Sequence, residues 1–191
     1  ALPEVVYANL YGPTEITDVC CYYRVNRSFA DDEPLPIGQA CRNTQIILLD
    51  ENNKCIEKTD EIGELCVRGT SLSVGYYANP EKTKEAFVQN PLNSYYEEKI
   101  YRTGDLAHYN SYGEIMFDGR KDFQIKYKGY RIELGEIETA LLAIDSVKDG
   151  CVVFDEKREE IVAFYTGQDA VDKSYIRKQL VQYLPQYMIP R

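Results

Sequence analysis

The chain has no tryptophan, two methionines and a single histidine in 191 residues. One imidazole, at His108, excludes a catalytic device that needs a second histidine, and no Gly-x-Ser-x-Gly elbow is present to carry a hydrolase serine. The six cysteines form no C-x-x-C pair, and Cys20 and Cys21 are adjacent, which suits neither a zinc site nor a regular disulfide framework. Reduced thiols in a cytoplasmic protein are the expectation. No apolar run approaches the length of a membrane span, and none of these residues reads as a basic-then-apolar leader. Positive charge is scarce. With 22 Lys and Arg against 31 Asp and Glu, the net charge of −9 argues against nucleic acid or an anionic membrane as partner. The 17 tyrosines supply aromatic surface for packing and stacking.

This length is ample for one core and permits two small ones. Residues 4–10 read as a buried apolar strand running into the turn Tyr11-Gly12-Pro13. From about Ile37, β character dominates. Gln45–Asp50 and Lys54–Ile56 flank a turn at Asn52-Asn53, and Glu64–Arg68 alternates between two glycines. Asn79-Pro80-Glu81 starts a helix to about Val88, residues 89–100 read as loop, and Ala107–Tyr109 pairs with Glu114–Phe117. Beyond Asp118–Asp122 the rhythm becomes α+β: strand 123–127, turn at Lys128-Gly129, helix 134–144, strands 147–154 and 161–166, then a helix over 174–183 capped by Ser174. Leu134, Ile137, Leu141 and Ile144 give that first helix its apolar stripe, and its early glutamates suit the helix dipole without any catalytic role.

Polar residues crowd the loops between Tyr101 and Glu138. Asp105 follows Thr103-Gly104 in an expected tight turn, where a carboxylate can accept two bonds from a vicinal diol such as a ribose. Arg120 follows Gly119 and can reach a phosphate or sugar. Singly, the plainer readings are a turn residue and a surface charge. Together, at this spacing, they favour a binding role.

Four stretches in order, Asn9-Leu10-Tyr11-Gly12-Pro13-Thr14-Glu15, Gly63-Glu64-Leu65-Cys66-Val67-Arg68-Gly69 with Gly75-Tyr76-Tyr77, Tyr101 to Glu138, and Leu184-Pro185-Gln186-Tyr187-Met188-Ile189-Pro190, resemble the adenylate-forming (AMP-binding) superfamily. The wording of Arg131 to Glu138 is similar to the branch of nonribosomal peptide synthetase adenylation domains and D-alanine–carrier protein ligases. The resemblance implies an α+β fold in two parts. Residues 1–118 would be the end of a large N-terminal domain, with a nucleotide loop in 1–35 and a barrel-like β subdomain from about 36. Residues 119–122 would be a hinge, and 123–191 a small, truncated C-terminal lobe.

By the same resemblance, Asn9 would meet the adenine edge, Tyr11 and Phe117 would sandwich the ring, and Asp105 would grip the ribose, with Arg120 a nucleotide contact to phosphate or sugar. Gly12 and Thr14 would approach the phosphate, with Glu15 as a Mg²⁺ ligand. Leu10, Asp18 and Val19 would border the substrate pocket. Asp122 would be the hinge residue, and Lys128 and Gly129 would line the approach of a phosphopantetheine thiol. The bare residues admit simpler roles: a Gly-Pro turn leading into a helix start, a core phenylalanine, a surface aspartate.

The resemblance also implies that a phosphate-binding loop and a catalytic lysine fall before Ala1 and after Arg191. The chain, opening on an apolar strand and closing at Pro190-Arg191, reads as a fragment. The expected parent joins a carboxylic acid, an amino acid foremost, to ATP as an acyl-adenylate and passes it to a carrier protein's phosphopantetheine. An acyl- or aryl-CoA ligase, or a non-catalytic module that kept the fold, are the alternatives. The isolated fragment is expected to be inactive and to self-associate through its opening strand.

Overall fold

A computed structural model of the chain describes residues 5–167 and 172–191. It divides into two compact units, Ala1–Lys121 and Asp122–Arg191, each around its own buried apolar cluster. The fold is α+β, sheet-rich in the first unit and more evenly mixed in the second.

The first unit begins with β1 (Ala8–Tyr11), β2 (Cys21–Arg24) and β3 (Gln39–Ala40), an antiparallel sheet in that order. The opening strand is shorter than the sequence predicts and is not buried. Val6, just before β1, and Leu10 within it are 61% and 60% exposed; among the described residues β1 pairs with β2 alone, at the edge of its sheet. Glu4, the first residue of the expected strand, lies outside the described residues.

Next come β4 (Thr44–Leu49), β5 (Gly63–Gly69), α1 (Pro80–Ala86), β6 (Phe87–Gln89), β7 (Lys99–Tyr109) and β8 (Ile115–Arg120). These five strands form a curled half-barrel sheet in the order β4-β5-β7-β6, with β8 also on β7. Leu48, Leu65, Val67, Tyr101 and Ala107 fill its core. The Asp50–Asn53 turn is fixed by Asp50 Oδ1, which accepts from the Asn52 and Lys54 amides at 2.8 Å each. Lys54–Ile56 makes only an isolated bridge, from Cys55 to Leu49, rather than the expected strand. Helix α1 starts as its sequence predicts: the Asn79 side chain accepts from the Lys82 amide at 3.0 Å, with Pro80 in the first turn.

The expected loop holds over 90–98 and the expected pairing of Ala107–Tyr109 with β8 is present, but β7 begins inside that loop and extends well before the hairpin. This strand runs eleven residues from Lys99 and pairs with β5, β6 and β8. Its apolar signal is interrupted by Thr103-Gly104-Asp105, which hides its length. Strand β8 likewise continues through Asp118, Gly119 and Arg120, so these three residues belong to the sheet side of the division at Lys121 and Asp122.

In the second unit, β9 (Gln124–Tyr127) and β10 (Tyr130–Glu133) form a hairpin about Lys128-Gly129, at φ 50° and 82°. Both turn residues are left-handed, the requirement of a tight two-residue hairpin turn. Strand β10 was hidden by its contiguity with α2 (Leu134–Leu142), two residues shorter than expected. The antiparallel pair β11 (Val147–Asp155) and β12 (Glu160–Gly167) packs with α2 and α3 (Lys173–Leu180) around Ile137, Leu141, Val152, Ile161, Ile176 and Leu180. The cap of α3 is Asp172, not Ser174. The Asp172 carboxylate accepts the Ser174 amide at 3.3 Å and the Ser174 hydroxyl, so the shorter serine is the capped residue.

Candidate functional site

Asp105 owes its position to an irregularity in β7. Cys66 pairs with Arg102 and Glu64 with Leu106, so three residues of β7 stand opposite Leu65 of β5. Gly104 absorbs the misfit at φ 73°. Thr103 replaces the lost ladder bonds: its hydroxyl donates to the Leu65 carbonyl at 2.7 Å and accepts the Asp105 amide at 3.0 Å. The Gly104 carbonyl accepts from the Lys121 amide at 2.8 Å. The expected tight turn is therefore a bulge inside a strand. Thr, Gly and Asp in sequence are what it needs.

Two other strands bring partners to the buried Asp105 carboxylate: Tyr11 from β1 and Arg120 from β8, with Phe117 of β8 beside Tyr11. The Tyr11 hydroxyl donates to Asp105 Oδ2. Arg120 Nη1 donates to Asp105 Oδ1 at 2.7 Å and to the Thr103 carbonyl at 3.0 Å. Burial first, then the adjacent Asp105 charge, pushes the Tyr11 phenol far above its ordinary range, so it stays a donor. The Phe117 ring lies 6.5 Å from that of Tyr11, tilted by 41°, and is 45% exposed. With one donor on each oxygen, a carboxylate keeps acceptor capacity for two further hydroxyls. An exposed aromatic face beside a held carboxylate is chemically apt for a nucleoside.

The segment after β1 turns at Gly12-Pro13 into one 3-10 turn, Thr14–Ile16. Gly12 cannot carry a side chain: a Cβ there would sit 2.1 Å from the Asp18 carbonyl. Gly12, Thr14, Thr17 and Asp18 line a cleft of about 380 Å³. Glu15 is buried, and its Oε1 accepts from the Tyr76 hydroxyl at 2.7 Å. As a hard oxygen donor Glu15 suits Mg²⁺. No cluster of three or more metal-binding side chains occurs among the described residues.

The remaining predicted residues are dispersed. Asn9 donates to the Pro36 carbonyl at 2.9 Å, a structural bond that ties β1 to the segment before β3. Leu10 is exposed, Val19 is half-buried, and Asp18 is exposed in a left-handed conformation at φ 84°. In the second unit, Asp122 accepts from the Gln124 amide at 3.2 Å and opens β9. Lys128 and Gly129 form the exposed tip of the β9–β10 hairpin, the Lys128 ammonium 4.8 Å from the Tyr127 ring centroid.

Sequence reasoning missed three polar groupings. Tyr76 was assigned to architecture yet reaches Glu15. Buried Glu64 accepts both Arg102 Nε at 3.0 Å and Nη2 at 2.7 Å, with the Lys121 ammonium 3.6 Å away. His108 Nδ1 lies 2.6 Å from Asp118 Oδ2 across the β7–β8 pair. Only the alternation of β7 could have signalled the last, by placing His108 on the face opposite Asp105. A larger cleft of about 800 Å³, walled by β4 and the Tyr95-Tyr96 loop among others, contains none of the predicted residues.

Residues 2–77 match the family described as AMP-binding enzyme. The chain is 40% identical over 191 residues to tyrocidine synthase 2 of Brevibacillus parabrevis, a match covering 98% of this chain and 5% of that protein. Two solved structures superimpose over its full length. IdnL1 does so with a TM-score of 0.90 at 31% identity, and PA1221, a nonribosomal peptide synthetase protein with adenylation and PCP domains, with 0.80 at 30%. The chain spans 39% and 38% of these two. Motif order, fold and relatives coincide: residues 2–77 match the AMP-binding enzyme family, and the chain as a whole is similar to nonribosomal peptide synthetase proteins.

Proposed function

We propose that this chain is a segment of an amino-acid adenylating enzyme, which joins a carboxylate to the α-phosphate of ATP, releases pyrophosphate, and passes the acyl group to a carrier protein's phosphopantetheine thiol. The observation that carries the reading is that Tyr11 and Arg120 hold the Asp105 carboxylate while Phe117 sets an aromatic ring beside Tyr11. Asp105 accepts the two ribose hydroxyls, Arg120 and Tyr11 hold it in place, and Tyr11 and Phe117 flank the adenine. Gly12 and Thr14 border the phosphates. Glu15 is the residue that would hold Mg²⁺, which supplies positive charge to the rearranging phosphates. Leu10, Asp18 and Val19 border the acid to be activated.

In the second unit, Asp122 is the hinge, and the Lys128-Gly129 tip admits the pantetheine arm in the thioester-forming step. The likeness to PA1221 favours a carrier protein over coenzyme A as acceptor. Six free cysteines fit a reducing cytoplasm. No described helix is long and apolar enough to cross a membrane.

The test is amino-acid-dependent exchange of pyrophosphate into ATP, run on residues 1–191 and on the full-length parent. The isolated chain is expected to be silent, since removing one preorganised donor already costs roughly a hundredfold in rate. In the parent, Asp105→Ala is expected to depress exchange at least as much. Robust exchange by the isolated chain, or an unaffected Asp105→Ala parent, overturns the assignment.

A further inference from the structure

The loop between β5 and α1 lies along the segment that carries Thr14 and Glu15. Three bonds join them: Thr17 Oγ1 donates to the Ser71 carbonyl at 2.9 Å, the Ser73 amide donates to the Glu15 carbonyl at 2.8 Å, and the Tyr76 hydroxyl donates to Glu15 Oε1 at 2.7 Å. The loop is itself anchored. Thr83 of α1 accepts the Tyr76 amide at 2.9 Å through Oγ1 and donates to the Asn79 carbonyl at 2.8 Å. Gly75 sits against Thr83 so closely that a Cβ would fall 2.4 Å from Thr83 Cγ2, at a φ of 134° that also favours glycine. The Tyr76 ring packs edge-on against Phe87, with centroids 5.8 Å apart. The phenol is thus fixed by α1 and β6 before it meets the carboxylate.

We propose that Tyr76 is a positioning residue for Glu15: residues 71–76 form a strap whose phenol fixes the Glu15 carboxylate in the rotamer that receives a nucleotide-bound divalent cation. This rests on the nucleotide reading given above. A carboxylate on a one-turn 3-10 segment has little secondary structure to orient it, and a short turn frays readily. The strap supplies that order from outside. Its influence is confined to ligands that bring a metal, because the adenosine grip at Asp105 lies on β7.

Two readouts on residues 1–191 test this. The first is amide hydrogen exchange of Tyr76→Phe, which keeps the ring and loses the donor. Exchange over residues 14–18 is expected to speed up several-fold, while β5 and β7 stay protected and the thermal midpoint shows the fold intact. The second is calorimetric titration of AMP without metal and of ATP with Mg²⁺. Tyr76→Phe is expected to weaken Mg²⁺-ATP about tenfold, the order expected for a bond to a charged group, and to leave AMP binding unchanged. Asp105→Asn serves as the separate control and should weaken both ligands.

Equal effects of Tyr76→Phe on both ligands, or no effect on either while the wild-type chain binds both, overturn the positioning role. An Asp105→Asn chain that binds as the wild type does would instead overturn the nucleotide reading. Should the calorimetric signal of the fragment be too small, the same ligand pair is titrated into the full-length parent. If Tyr76→Phe fails to fold, Thr83→Val removes the anchor of the strap and leaves the phenol, and the same metal-selective weakening is expected.

Discussion

At the scale of single residues, the chain uses buried carboxylates as junctions between segments distant in sequence. Asp105 joins β1 to β8, Glu15 joins the Thr14–Ile16 turn to the loop over 71–76, and Glu64 joins β5 to Arg102 of β7. Each is satisfied by a donor that the local sequence does not supply, as buried charge requires. Glu98 shows how such contacts respond to pH. The Asn90 amide first and the Arg68 guanidinium second hold its carboxyl below the ordinary value of 4.5. A carboxyl that is more acidic in the folded chain stabilises fully above the unfolded value and loses that contribution as pH falls through the folded one. Urea midpoints measured from pH 7 down to pH 3 should therefore fall in the acid range, and Glu98→Gln should flatten part of that fall. An unchanged profile in Glu98→Gln would show that its bonds to Asn90 and Arg68 carry no linkage.

At the scale of elements, the β9–β10 hairpin combines a strained residue with an exposed tip. Lys128 occupies φ 50°, where a lysine costs more than an asparagine or glycine would. Lys128→Asn should raise the stability of the chain by roughly 0.5–1 kcal/mol, read as a shift in the denaturation midpoint. In the full-length parent the same change should slow carrier loading and spare adenylate formation. A stabilised variant with normal loading would mean that the lysine is retained for neither step. Much of the element pattern was legible in the chain: the Asn79-Pro80 helix start, the alternation of Gly63–Gly69 and the stripe of α2 each follow from local chemistry. The long β7 was not. Its bulge at Thr103-Gly104-Asp105 imitates a turn, because a register shift and a turn call for the same small and polar residues.

At the scale of the molecule, two units with separate cores meet at Lys121 and Asp122. Gly119 and Arg120 are held in β8, so a conformational change at this junction has to be absorbed at Lys121 and Asp122 and just beyond. In the parent, Asp122→Pro should spare adenylate formation and suppress carrier loading. Equal loss of both half-reactions would remove the hinge. The first unit should also self-associate, since among the described residues β1 has a strand on one edge alone and Val5, Val6, Tyr7 and Leu10 are exposed there. Light scattering at rising concentration is the check, and a monomer throughout would contradict it.

What the amino-acid order determined by itself is everything that depends on near neighbours. That includes the glycine turns, the helix cap at Asn79, the apolar stripes of the second unit and the ordered motifs that carry the resemblance to AMP-binding enzymes. Even there, the choice between Asp172 and Ser174 as the cap of α3 needed the backbone to be seen. What only the tertiary structure decided is which polar groups meet. Tyr11 and Asp105 stand 94 positions apart, and Glu15 and Tyr76 stand 61 apart. Periodicity carries no information over such separations. Burial was likewise decided by the sheet: the apolar run before Tyr11 looks like core, but β1 leaves alternate residues such as Leu10 in water while Asn9 and Tyr11 are half-buried.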